Sequence, residues 1–206
     1  METFTRDLLD RAKGLVGGVL RGVHYLDSNH ASVEKISNVA GVSHVSLHGV
    51  ELTTDHGVVS VISSDAFTDG TNELSLVEGP LRDGDSVLEV TGMDDEAPWA
   101  ALIGRTIVSS RIRWIDSPFV ALAKRRKAFS SHHFDVDGAI PFAGPQAPLA
   151  LELHFDGGGR VLLVSGSWKG FDHPIVETGT GICVLWDATN FSTLVPRIAR
   201  ELKKSW

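Results

Sequence analysis

His132, His133, Asp135 and Asp137 form the densest set of metal-ligand side chains in the 206-residue sequence. Imidazole and carboxylate together suit zinc or another divalent transition ion. Their spacing follows no zinc signature. The segment Asp135–Gly138 opens like a calcium loop, but Ala139 stands at the third ligand position and Gln146 where a closing glutamate is needed. A polar surface loop accounts for these residues, and no cofactor is expected.

Glu152, His154 and Asp156 are the second set. They alternate along one strand, so their side chains share a face and stand about 6–7 Å apart along it. A carboxylate that orients an imidazole is a general-base pair. A solvated sheet face explains the same letters more simply. Lys124, Arg125, Arg126 and Lys127 could meet phosphate or an acidic partner, yet no aromatic platform interleaves them as single-stranded nucleic acid would require. They could equally pair with acids elsewhere in the chain. Trp168 opens the segment WKGFDH and is an anchor candidate for an interface. Cys183, the only cysteine, excludes an intramolecular disulfide and sits in an apolar run as a core residue. Gly179-Thr180-Gly181 precedes a strand, whereas a phosphate-binding glycine loop follows one and opens a helix. The sequence holds no GxSxG, HExxH, P-loop or CxxC pattern.

The elements that must position these residues are mostly strands. Leu149, Leu151, Leu153 and Phe155 alternate with polar positions, the period of a strand with one buried face. Asp156–Gly159 can turn, and Val161–Val164 returns as a more fully apolar strand. Residues 50–62 repeat this design around Asp55-His56-Gly57. Leu15-Val16-Gly17 matches Leu102-Ile103-Gly104, and Tyr25-Leu26-Asp27 matches Trp114-Ile115-Asp116 with two extra residues. Val50-Glu51-Leu52 and Asp55 match Leu151-Glu152-Leu153 and Asp156. These features keep one order, so a tandem repeat is expected. Residues 1–93 form the first unit and 97–206 the second, joined by an acidic linker at Thr91–Glu96. The second unit carries an insertion at Ser117–Pro148.

Phe4, Leu8, Leu9 and Ala12 predict a short helix over 3–14, and Leu194, Val195, Ile198 and Leu202 a longer one over 190–204. The fold class is therefore mainly β (α+β): two related antiparallel sheet units in a sandwich or partly open barrel, with a short N-terminal and a longer C-terminal helix.

Charge divides along the chain. The net charge is −7, but residues 1–101 hold 6 basic and 17 acidic side chains, and residues 102–206 hold 13 and 9. The acidic balance argues against broad nucleic-acid binding. Glu51, Asp94 and Asp95 are candidates for an acidic docking face. No cleaved leader and no membrane span are expected, and a single cysteine suits the cytoplasm. The expected function is a non-catalytic cytoplasmic module that neutralises or scaffolds a protein partner, or that self-associates. In size and acidity it resembles small bacterial immunity proteins of toxin systems, without a shared motif. The competing reading is a small-molecule-binding or hydrolase-like protein, metal-dependent or not, with its site near His154 and the 132–137 loop.

Overall fold

The apolar alternation seen in the sequence becomes eleven strands in a computed structural model, which describes residues 2–28, 34–35, 42–46, 48–64, 73–81, 88–95, 98–116, 146–167 and 177–186. Helix α1 (Glu2–Gly14) leads into β1 (Leu20–Ser28), β2 (Glu34–Lys35), β3 (Val42–Ser46), β4 (Gly49–Thr54), β5 (Gly57–Ser64), β6 (Glu73–Glu78) and β7 (Leu88–Gly92). A 3₁₀ turn at Trp99–Ala101 precedes β8 (Ile107–Asp116), β9 (Gln146–Phe155), β10 (Arg160–Ser167) and β11 (Glu177–Trp186). The protein is mostly β, as the sequence predicts. The helix expected over 190–204 lies outside the described residues, and nothing among them bears it out.

The strands form two antiparallel sheets, ordered β6-β5-β4-β1-β7 and β2-β3-β11-β10-β9-β8. Each is built on four strands in the same order, β6-β5-β4-β1 in one and β11-β10-β9-β8 in the other. The register agrees as well. Val23, His24 and Tyr25 lie opposite Leu52, Glu51 and Val50, and Ser110, Arg111 and Ile112 lie opposite Leu153, Glu152 and Leu151. Both pairs bulge at one place, after Leu20 in β1 and after Ile107 in β8. The register corrects one expected match. Tyr25 corresponds to Ile112, which faces Leu151 as Tyr25 faces Val50; Trp114 lies beyond a second irregularity that β1 lacks.

The two units meet at a corner whose hydrogen bonds occur in pairs. Gly17 N–H donates to Ile107 O (2.8 Å) and Gly104 N–H to Leu20 O (2.8 Å); Leu20 N–H donates to Arg105 O and Ile107 N–H to Gly18 O, both at 2.9 Å. Gly17 (φ 88°) and Gly104 (φ 83°) both hold the left-handed conformation that this turn requires. Val19 and Thr106 bridge each other. The Ser63 and Ser165 hydroxyls, at equivalent places in β5 and β10, are hydrogen-bonded at 2.8 Å.

One core lies between the sheets, built from Leu20, Val50, Leu52, Val61, Leu74 and Leu76 on one side and Ile107, Leu151, Leu153, Phe155, Leu163 and Val184 on the other. Helix α1 closes one flank beside β6 and β8. Its buried Leu8 and Ala12, with Leu15 just beyond it, follow helical spacing into this core. The Arg11 guanidinium donates to Leu76 O, and Ser110 Oγ to Ala12 O at 2.6 Å. The 3₁₀ turn brings fully buried Trp99 to Tyr25 of β1 and Trp186 of β11. These two strands are the counterparts of β8 and β6.

Two observations bear on the expected halves. Strand β3, from the first half, pairs with β11, so the second sheet takes in chain from before the expected boundary. The expected linker is also tied down. Thr91 and Gly92 end β7, Met93 is buried, and the Asp94 carboxylate accepts from Val23 N–H at 2.6 Å.

Candidate functional site

Register places the polar residues of β9 on the outer face of the second sheet. Leu151, Leu153 and Phe155 point into the core, so Glu152 and His154 point away from it. Strand β8 sets Ser109 opposite His154, Arg111 opposite Glu152 and Arg113 opposite Ala150. Strand β10 sets Arg160 opposite His154 and Leu162 opposite Glu152. Register therefore brings Arg111, Arg113 and Arg160 to the same face as Glu152 and His154.

Glu152 is fully buried (0% exposed). This corrects the expectation of a solvated face. Leu162, Val164, Cys183 and Leu185 are buried on the same face. Strands β10 and β11 thus exclude solvent on both sides, which explains the continuous apolar run at Val161–Val164. A buried carboxylate is costly unless paired, and this one is fully engaged. Arg113 Nε donates to Oε2 at 2.6 Å, and a second Arg113 nitrogen reaches the same oxygen. Oε1 takes the Arg160 guanidinium and lies 2.8 Å from His154 Nε2. Burial by itself pushes the Glu152 carboxyl up. The His154 hydrogen bond and the Arg113 and Arg160 charges outweigh it and hold the group below the usual carboxylate range.

Glu51 occupies the same register position in the first sheet, and its surroundings differ. It too is buried (2% exposed). His24 faces it from β1 and Ser60 from β5. Its Oε1 accepts from Leu81 N–H at 3.0 Å. Glu51 therefore forms no acidic docking face. Asp94, engaged by Val23 N–H, is half-buried, and Asp95 is the exposed member of that trio.

Asp156 does not join Glu152 and His154. Its carboxylate accepts from Thr106 N–H at 3.1 Å, as Asp55 accepts from Val19 N–H at 2.7 Å. Both aspartates pin the corner between the sheets. The Val19 hydrogen bond holds the Asp55 carboxyl below its ordinary value. Cys183 is buried, and desolvation pushes its thiol up to about 12, which suits a core residue and not a nucleophile.

The structure thus joins Glu152 to His154 and separates Asp156 from both. Lys124, Arg125, Arg126, Lys127, His132, His133, Asp135, Asp137 and Trp168 lie outside the described residues. Among the described residues no group of three or more His, Cys, Asp or Glu side chains could hold a metal ion, and no helix is long and apolar enough to cross a membrane. Sequence reading missed Arg111, Arg113 and Arg160 as partners of β9. The alternation SSRIRWID in β8 was the available signal: it places two arginines on the face opposite Ile112 and Trp114. No protein-family model, curated protein or solved structure matches the chain.

Proposed function

We propose that this protein is a cytoplasmic binding module, built on an internal repeat and folded as a sandwich, which engages a protein partner rather than transforming a substrate. One observation carries the reading: the Glu152 carboxylate, the best general-base partner in the sequence, is consumed by Arg113, Arg160 and His154. A carboxylate that anchors two guanidiniums is a poor proton acceptor, because those charges stabilise its ionised form. Three further reactive side chains among the described residues are committed to the fold. Asp55 and Asp156 hold backbone amides, and the Cys183 thiol is buried.

The test is a turnover screen with p-nitrophenyl esters and phosphates, run on the wild-type chain and on His154→Ala. We expect no turnover above background from either. Turnover that His154→Ala abolishes would overturn the binding reading in favour of a hydrolase using the His154–Glu152 pair.

A further inference from the structure

We infer that the margin of the second sheet's outer face, at Arg111, His154 and Arg160, is an oxyanion-binding site for a carboxylate or phosphate group. The inference rests on the binding reading above and names the chemistry that reading leaves open.

Three arginines, Arg111 and Arg113 of β8 and Arg160 of β10, converge on the strand that carries Glu152 and His154. Glu152 orients Arg113, Arg160 and His154 from beneath. Arg111 lies directly opposite Glu152 in the register, is exposed, and makes no ion pair among the described residues. The strand pair spends energy to bury a carboxylate under this cluster, and yet leaves one guanidinium outside the arrangement.

Exposure supplies the second observation. Glu152 is sealed, but the His154 and Arg160 side chains are 39% and 28% exposed. Glu152 engages His154 through Nε2, which leaves Nδ1 as the imidazole's second hydrogen-bonding atom. An anion at this margin meets the Arg111 guanidinium from β8 and the imidazole from β9. These come from diagonal neighbours about 7–8 Å apart at the backbone, a span that a long arginine side chain covers. The Arg160 guanidinium flanks the imidazole from β10. Guanidinium groups bind carboxylate and phosphate through charge-assisted, often bidentate hydrogen bonds. The equivalent place in the first sheet has Gly22, His24 and Val58 where this one has Ser109, Arg111 and Arg160, so the charge is not a requirement of the fold.

The experiment uses the full chain and two probes, hexaglutamate peptide and inorganic phosphate. Each is titrated calorimetrically into wild type and Arg111→Glu at about 20 mM ionic strength, where screening is weak. Imidazole chemical shifts of His154 are followed in parallel. We expect wild type to bind at least one probe with a shift of the His154 resonance, and Arg111→Glu to bind it roughly tenfold more weakly or worse. Unchanged far-UV and near-UV spectra of Arg111→Glu establish its fold; if they change, Arg111→Gln takes its place, with a smaller loss expected. Binding of hexaglutamate supports both the site and a polypeptide partner. Binding of phosphate alone upholds the oxyanion site and removes the protein-partner reading. No binding of either probe by wild type, or equal binding by both chains, overturns the site.

Discussion

The outer faces of the two sheets carry a buried glutamate at one and the same register position and surround it with opposite chemistry. Glu51 meets a backbone amide of the following loop, with a histidine and a serine for cross-strand neighbours. Glu152 meets two arginines and a histidine. Position alone therefore does not determine what a buried carboxylate does. In the first sheet it ties down a loop. In the second it holds positive charge in place. The frame is shared, as the paired hydrogen bonds of the corner show, so the difference between the faces belongs to side chains and not to backbone.

The most direct way to break this comparison is to neutralise both glutamates. Glu152→Gln removes the buried negative charge that Arg113 and Arg160 both contact, at a cost of about 3–5 kcal/mol. Glu51→Gln keeps an acceptor for Leu81 N–H and costs about 1 kcal/mol or less. Urea unfolding of both variants measures the gap. Equal losses would mean that the Arg113 and Arg160 contacts contribute no more than a single amide hydrogen bond.

The cores should not differ in this way. Leu52 and Leu153 occupy equivalent positions, and both are fully buried. Truncating either to alanine removes the same methyl groups from one shared core, for about 2–5 kcal/mol each. We expect the two urea midpoints to fall together. A large difference would show that the core is divided between the sheets rather than common to them.

Acid should weaken the Glu152 cluster of the second face. The folded-state value of Glu152 is depressed below its unfolded value. Its ion pairs therefore contribute stability that is present above the unfolded carboxylate range, near about pH 4.3, and is lost as pH falls through the lower folded value. The stability gap between wild type and Glu152→Gln should close as pH is lowered from 6 toward 3. Urea titrations at several pH values follow the gap, and a gap that stays constant over this range would remove the electrostatic contribution of Glu152.

How much of this was legible in the sequence follows from which contacts are local. The hairpins β4–β5 and β9–β10 were visible because alternation and Asp-Gly turns are local signals. The match of Val50-Glu51-Leu52 with Leu151-Glu152-Leu153 held in register for the same reason. Tyr25 and Trp114 look alike in sequence because each opens an aromatic-aliphatic-Asp run, whereas pairing counted from the bulge that both strands share sets Ile112 in the place of Tyr25. The pairing of β3 with β11 was hidden because a long-range ladder leaves no local pattern. The Glu152–His154 pair could be read from two-residue spacing. The alternation of Arg111 and Arg113 along β8 was visible too, but not that Arg113 and Arg160 meet Glu152, since they arrive from strands on either side of β9. Trp99, beside the expected linker, gave no sign that it would be fully buried and donate to the Tyr25 hydroxyl at 2.7 Å.

The smallest expected effect tests the frame itself. Asp55 caps Val19 N–H and Asp156 caps Thr106 N–H, and Val19 and Thr106 bridge one another where the sheets meet. An asparagine at either place keeps a side-chain oxygen for the amide but removes the charge that strengthens the bond. Both aspartates are exposed, so water can replace part of what is lost, and each substitution should lower the urea midpoint only slightly. The informative quantity is the pair. Because the caps lie at one corner, with their target residues bridged, the double variant Asp55→Asn/Asp156→Asn should lose more than the two single variants together. Strictly additive losses would mean that the two caps act as separate loop anchors, and that the corner does not couple the halves.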